Sequence, residues 1–354
     1  MGRTDRFRAP RKSGYRMNVI DKNRRFYEKY VADLIHTQFA EYEDRIAVGI
    51  AGEGSDCFGY DDEISRDHDF GTGVCLWVTD GDMNRFGYRL SIAYDELVDS
   101  AQRSFYTQRL RERRGVMTIH DFYSDILQVN CDTENCVMTE DQWYYLDHSC
   151  LKTATNGEVF RDDLGCFTAF RKLLLDYYPD RVWRTRIAEQ LHEFAASVQV
   201  NYARCMSRGD IVAAELCRSQ GIRSAMELYF LLRREYPPYY KWTFRAMREL
   251  EAAGAMSRPG SADTLSGQVS AGILSGSGSA GTMTDCIQEL ARAPISLDAW
   301  IRVKYHPDRV NYDDRVVSMV EKIASKLEGM LGEKGLISAR TGYLETHVNE
   351  VLDS

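Results

Sequence analysis

From Ile46 the chain alternates, with apolar Ile46, Val48 and Ile50 at every second position before the small residues Gly52, Gly54 and Ser55. A period of two places the apolar residues on one face of a buried strand, and the glycines predict a tight turn after it. A second strand is predicted to open with Asp67-His68-Asp69-Phe70 and to run out near Thr79. On it Asp67 and Asp69 share a face, while His68 and Phe70 take the other, where His68 reads as a core histidine. Helical spacing appears on both sides. Phe26, Tyr27, Tyr30, Val31, Leu34, Ile35 and Phe39 mark a helix that Asp21 can cap, and Met83, Phe86, Leu90, Ala93 and Leu97 mark one that starts at Asp80 or Asp82. A short third strand is predicted over Val116 to Ile119, and the charged run before it, QRLRERRG, reads as a solvated helix end.

From about Thr139 long helical periodicities take over, near 140–152, 166–177, 180–207, 209–235 and 239–253. They are separated by Asn156-Gly157, Pro179, Gly209-Asp210 and Pro237-Pro238, all breakers. Helices near 284–294, 312–332 and 340–353 close the chain. The predicted class is α+β: a small mixed-sheet core followed by an antiparallel helical bundle. The predicted organisation is a basic flexible tail over 1–18, a sheet domain over 19–136 and a helical domain over 137–354. A Ser/Gly-rich stretch at 254–283 reads as a flexible insertion, because such a composition buries too little apolar surface to offset chain entropy.

With 354 residues, 44% of them apolar, the chain can hold two cores. A net charge of −8 argues against an extended nucleic-acid surface, which needs an excess of Lys and Arg. The first sixteen residues carry Arg3, Arg6, Arg8, Arg11, Lys12 and Arg16 but lack the apolar run of a secretory signal. No apolar stretch reaches membrane-span length. The nine cysteines are an odd number without a CxxC pair, which predicts thiols in a reducing cytoplasm and no zinc site.

The chemistry concentrates between Gly52 and Asp69. Two carboxylates on one strand face repel each other and are costly to desolvate, so such a pair usually has a cation to hold. Magnesium suits them, because it is commonly bound by one or two carboxylates together with substrate phosphates. A Gly-Ser turn can bring backbone N–H groups and a hydroxyl up to a phosphate. The rival dinucleotide fingerprint needs a third glycine where Cys57 stands. Asp56, Asp61, Asp62 and Glu63 read as a solvated acidic loop. Arg66 either reaches a triphosphate oxygen or pairs with one of these acids. Lys241, after Pro237-Pro238, falls at a helix start, which disfavours a cation unless an anion such as a triphosphate is near.

A strand, Gly54-Ser55, eleven residues and then Asp67-x-Asp69 leading into an apolar strand resembles the signature of the polymerase-beta-like nucleotidyltransferase superfamily. The longer phrase GEGSDCFGYDDEISRDHDFG is similar to a bacterial branch whose helical C-terminal region resembles that of aminoglycoside nucleotidyltransferases. The resemblance implies magnesium-dependent transfer of a nucleoside monophosphate, AMP from ATP, to a hydroxyl of a small molecule or protein. It implies Asp67 and Asp69 as catalytic metal ligands and Gly54 and Ser55 as phosphate contacts. It also asks for a third carboxylate on a later strand. Asp121 is the candidate, although it could equally cap a helix starting at Phe122. Without that third acid, the alternative is a catalytically impaired protein that binds nucleotide or a partner without turnover.

Overall fold

The computed structural model describes residues 18–60, 72–101, 113–256, 281–301, 303 and 305–354. Asp61, Asp62, Glu63, Arg66, Asp67, His68 and Asp69 lie outside the described residues, as do nearly all of the basic tail and most of the Ser/Gly-rich stretch. The fold is mixed α+β, predominantly helical, with one four-stranded sheet. It divides into two compact units. One takes Met1–Met138 with Thr153–Asp176, the other Thr139–Lys152 with Tyr177–Ser354.

The first unit holds the sheet, built from β1 (Ala47–Ile50), β2 (Cys75–Val78), β3 (Gly115–Thr118) and β4 (Glu158–Arg161). Their order is β3-β2-β1-β4. β1 runs antiparallel to β2 and to β4, and β2 runs parallel to β3. Every residue of the two central strands is buried, as expected for strands covered on both faces. One face carries Ile46, Val48, Val74, Leu76 and Val78, which pack with Phe26, Ile35, Phe86 and Leu90 from the flanking helices. On the other face Trp77 stacks on Phe167 at 3.8 Å between ring centroids and meets Phe122 edge-on at 5.3 Å. Those rings come from the helices Ile119–Leu127 and Cys166–Leu175. The two-residue alternation of β2 thus separates aliphatic contacts on one side from aromatic contacts on the other.

Several expectations shift in detail. The cap before the first helix is Asn18, whose side chain accepts from the Asp21 N–H at 2.7 Å, so Asp21 sits inside the first turn. Thr79 caps the turn at Asp80–Asp82. The larger correction concerns Asn156-Gly157, read as a break between helices. It is the turn into β4, a strand foreseen by no periodicity, since all four of its residues are half-buried at the sheet edge. Gly157 has φ +66°, and a Cβ there would stand 1.9 Å from the Ile50 carbonyl oxygen, so only glycine lets β4 close onto β1.

The second unit is helical. The helix Asp180–Phe194 continues through Ala195–Asn201 into Tyr202–Ser207, and after a short turn Ile211–Arg233 packs back on Asp180–Phe194. The expected helix over 140–152 is two, Glu140–Tyr145 and His148–Thr155. Arg186 separates them: its buried guanidinium donates to the Trp143, Tyr144 and Leu146 carbonyls, satisfying groups that a helix end leaves open. No helix among the described residues is long and apolar enough to cross a membrane.

Candidate functional site

The strand register brings four chain segments to one end of the sheet. Gly49 pairs with Cys75, Ile50 with Glu158, and the Gly115 N–H donates to the Val74 carbonyl at 2.9 Å. The exit from β1 therefore lies beside the approaches to β2, β3 and β4. This end gathers the turn Gly52–Tyr60, Arg113 with Arg114, and Asn156.

The turn is held from below and from the side. Asn156 is buried and grips Gly52 twice: its side-chain oxygen accepts from the Gly52 N–H at 2.8 Å, and its amide donates to the Gly52 carbonyl at 2.7 Å. Arg114 is 2% exposed, and its Nη2 donates to Asp56 Oδ2 at 3.0 Å and to Cys57 Sγ at 3.1 Å. Its Nη1 reaches the carbonyls of Arg113 at 3.1 Å and Ala51 at 3.4 Å. Burial works against this charge, yet the guanidinium pKa is held well above its ordinary value, with Asp56 its ionised neighbour at neutral pH. Burial pushes the Cys57 thiol up to about 12 and raises that of Cys75, so both stay protonated at neutral pH.

Above this brace the turn closes on itself. The Cys57 N–H donates to the Gly54 carbonyl at 3.2 Å and the Tyr60 N–H to the Ser55 carbonyl at 2.8 Å. Among the described residues nothing accepts from the N–H groups of Gly54 or Ser55. Gly54 has φ +112°, and a Cβ on it would meet Asp56 Oδ1 at 2.3 Å and Arg113 Nη1 at 3.1 Å. Glycine is therefore required twice, by the backbone and by the two charged side chains against it. Adjacent amide donors on a tight turn are the elements from which anion sites are built, and here both Arg113 Nη1 and Asp56 Oδ1 stand against Gly54.

The predicted site residues divide. Gly54 and Ser55 stand at this end of the sheet, and Asp67, Asp69 and Arg66 fall outside the described residues. The structure does not bring Asp121 to the turn. Thr118 pairs with Val78, at the end of β2 and β3 remote from Cys75 and Gly115, and Asp121 follows in the first turn of Ile119–Leu127 with its side chain exposed. Its N–H donates to Thr118 Oγ1 at 2.9 Å, so Thr118 caps this helix, in place of Asp121 capping one from Phe122. Lys241 belongs to the second unit, the second residue of the helix Tyr240–Met256. Its ammonium lies 5.4 Å from the ring centroids of both Tyr239 and Trp242, which compensate a cation placed at a helix start.

Two readings of charge are overturned. Asp56 is not part of a solvated loop, being 7% exposed and bound to Arg114. Arg114, read within a solvated run, is the brace itself. The signal for Asn156 was the Asn-Gly pair, which marks a tight turn as readily as a helix break. Among the described residues no group of three or more His, Cys, Asp or Glu could hold a metal ion, and Asp56 is engaged by Arg114. A cavity of about 350 Å³, lined by Thr79, Asp80, Ile119, His120, Cys136 and Cys166 among others, lies at the opposite end of the sheet from the turn.

Residues 143–243 match a family described as a domain of unknown function, DUF4037. The matched span takes in Asn156, β4 and Lys241 and leaves out the Gly54-Ser55 turn. No curated protein and no solved structure matches the chain.

Proposed function

We propose that the protein is a magnesium-dependent nucleotidyltransferase, a nucleotidyltransferase core followed by an antiparallel helical bundle, that moves AMP from ATP to a hydroxyl of a small molecule or protein. The observation that carries this reading is the Gly54-Ser55 turn at the exit of β1, its two N–H groups without acceptors among the described residues. Support comes also from topology: β1 and β2 are antiparallel neighbours, so β2 begins at the end of the sheet where the turn stands.

Gly54 and Ser55 would hold the β- and γ-phosphates so that pyrophosphate leaves in line with attack. Arg66 would be a further triphosphate contact. The acceptor oxygen forms a bond to the α-phosphorus, the P–O bond to the β-phosphate breaks with its electron pair leaving on pyrophosphate, and the hydroxyl proton is released to solvent. Asp67 and Asp69 would hold magnesium, to which hard carboxylate oxygens are suited. When bound, the ion neutralises phosphate charge and lowers the pKa of the attacking hydroxyl.

One observation favours a second reading, a nucleotidyltransferase-like protein that binds nucleotide or a partner without turnover. Asp121 stands at the far end of the sheet, so the residue expected to supply the third carboxylate is not beside the turn. Pyrophosphate release from ATP and magnesium, measured with a panel of hydroxyl acceptors, separates the two. Release that vanishes in Asp67→Ala and Asp69→Ala, with both variants folded, supports transfer. Full activity in both rejects it, and ATP binding without release against any acceptor selects the second reading.

A further inference from the structure

The two consecutive arginines before β3 do different work. Arg114 turns inward to Asp56 and Cys57, whereas Arg113 brings Nη1 to 3.1 Å from where a Gly54 side chain would begin. We propose that Arg113 is a phosphate-binding residue, its guanidinium gripping the β- and γ-phosphates of a nucleoside triphosphate seated on the Gly54-Ser55 turn.

Three observations carry this beyond proximity. First, the backbone of Arg113 is fixed where it stands. Its carbonyl accepts from Arg114 Nη1 at 3.1 Å and from the Cys75 thiol at 3.4 Å, and the next residue, Gly115, is tied to Val74. A pinned backbone leaves only the side chain's own rotamers to be ordered on gripping a ligand. Second, Arg113 Nη1 stands against Gly54, in the turn whose Gly54 and Ser55 N–H groups have no acceptor among the described residues. A planar fork matches two phosphate oxygens at once, which an ammonium cannot do. Third, the chain carries a net charge of −8, so an incoming polyanion is repelled overall and needs a local cation at the turn. Sequence alone hid this residue, because Arg113 lies in a run where every charge looked solvated.

The inference rests on reading the turn as a triphosphate site, and the test separates the two. Full-length protein is titrated calorimetrically with ATP and magnesium, and separately with adenosine, for the wild type, Arg113→Gln and Arg113→Lys. Circular dichroism follows thermal unfolding of each. Loss of charge-assisted hydrogen bonds predicts that Arg113→Gln weakens ATP binding by about 10–100-fold. Adenosine binding and the unfolding midpoint stay at wild-type values, and Arg113→Lys recovers part of the ATP affinity. Wild-type ATP binding matched within twofold by Arg113→Gln overturns the role of Arg113 while leaving the turn intact. An equal loss of adenosine affinity, or a lowered midpoint accounting for the ATP loss, also overturns it and makes Arg113 a structural residue. Absence of ATP binding by the wild type removes the triphosphate reading itself, and this inference with it.

Discussion

Replacing Asp56 by Asn tests the brace under the turn. The carboxamide keeps the shape of the carboxylate but leaves the Arg114 guanidinium, 2% exposed, without its anionic partner. The other acceptors of Arg114 are two carbonyls and a thiol that burial keeps protonated, and none carries a compensating charge. Breaking one side of a buried ion pair costs about 3–5 kcal/mol. For a domain of this size each kcal/mol lowers the midpoint by about 2–4 °C, so a fall of about 6–20 °C is expected for the first unit. Trp77, at the centre of the sheet, is the single tryptophan of that unit, the others being Trp143, Trp183, Trp242 and Trp300. Replacing those four by Phe gives a background in which fluorescence follows the first unit alone. The double variant Asp56→Leu/Arg114→Met, which removes both charges, should recover much of the loss. A midpoint for Asp56→Asn within 2 °C of that background would refute the idea that Asp56 holds Arg114 in place.

Further outcomes follow from the same structure. Gly54→Ala forces a Cβ to within 2.3 Å of Asp56 Oδ1 at φ +112° and should abolish ATP binding and lower stability. Gly209→Ala, at φ +75° with nothing within 4 Å, should cost only left-handed strain of about 1–2 kcal/mol, and equal losses in urea titrations of the two would sink the steric argument. In the second unit, burial and then the Arg186 charge push the His148 pKa down from its ordinary value to about 3. The unfolded chain therefore binds this proton first, so its contribution is fully present above about pH 6.5 and is lost progressively as pH falls toward about 3. Urea unfolding at pH 5 should show about 1–2 kcal/mol less stability from this group than at pH 7.5, and His148→Gln should remove that difference. An unchanged pH slope in the variant would show that His148 is not the group responsible.

Elements whose side chains repeat with a clear period can be read directly from the residue pattern. β1, the helix faces of Phe26 to Phe39 and of Met83 to Leu97, and the short strand near Val116 are legible because burial on one face selects apolar residues at fixed spacing. The Gly54-Ser55 turn was legible for a different reason, since glycine at a strand end signals a backbone no other residue adopts easily. Which charges are structural becomes visible only once the strands are assembled. Asp56 and Arg114 lie 58 positions apart in runs that read as solvated, and they meet because the order β3-β2-β1 stacks the approach to β3 beneath the exit of β1. Asn156, 104 positions from Gly52, reaches it only because β4 returns to pair with β1. The same register carried Asp121 to the opposite end of the sheet. Periodicity records which face of an element is buried; which ends of the elements coincide is set by strand order and register, and no local pattern encodes them.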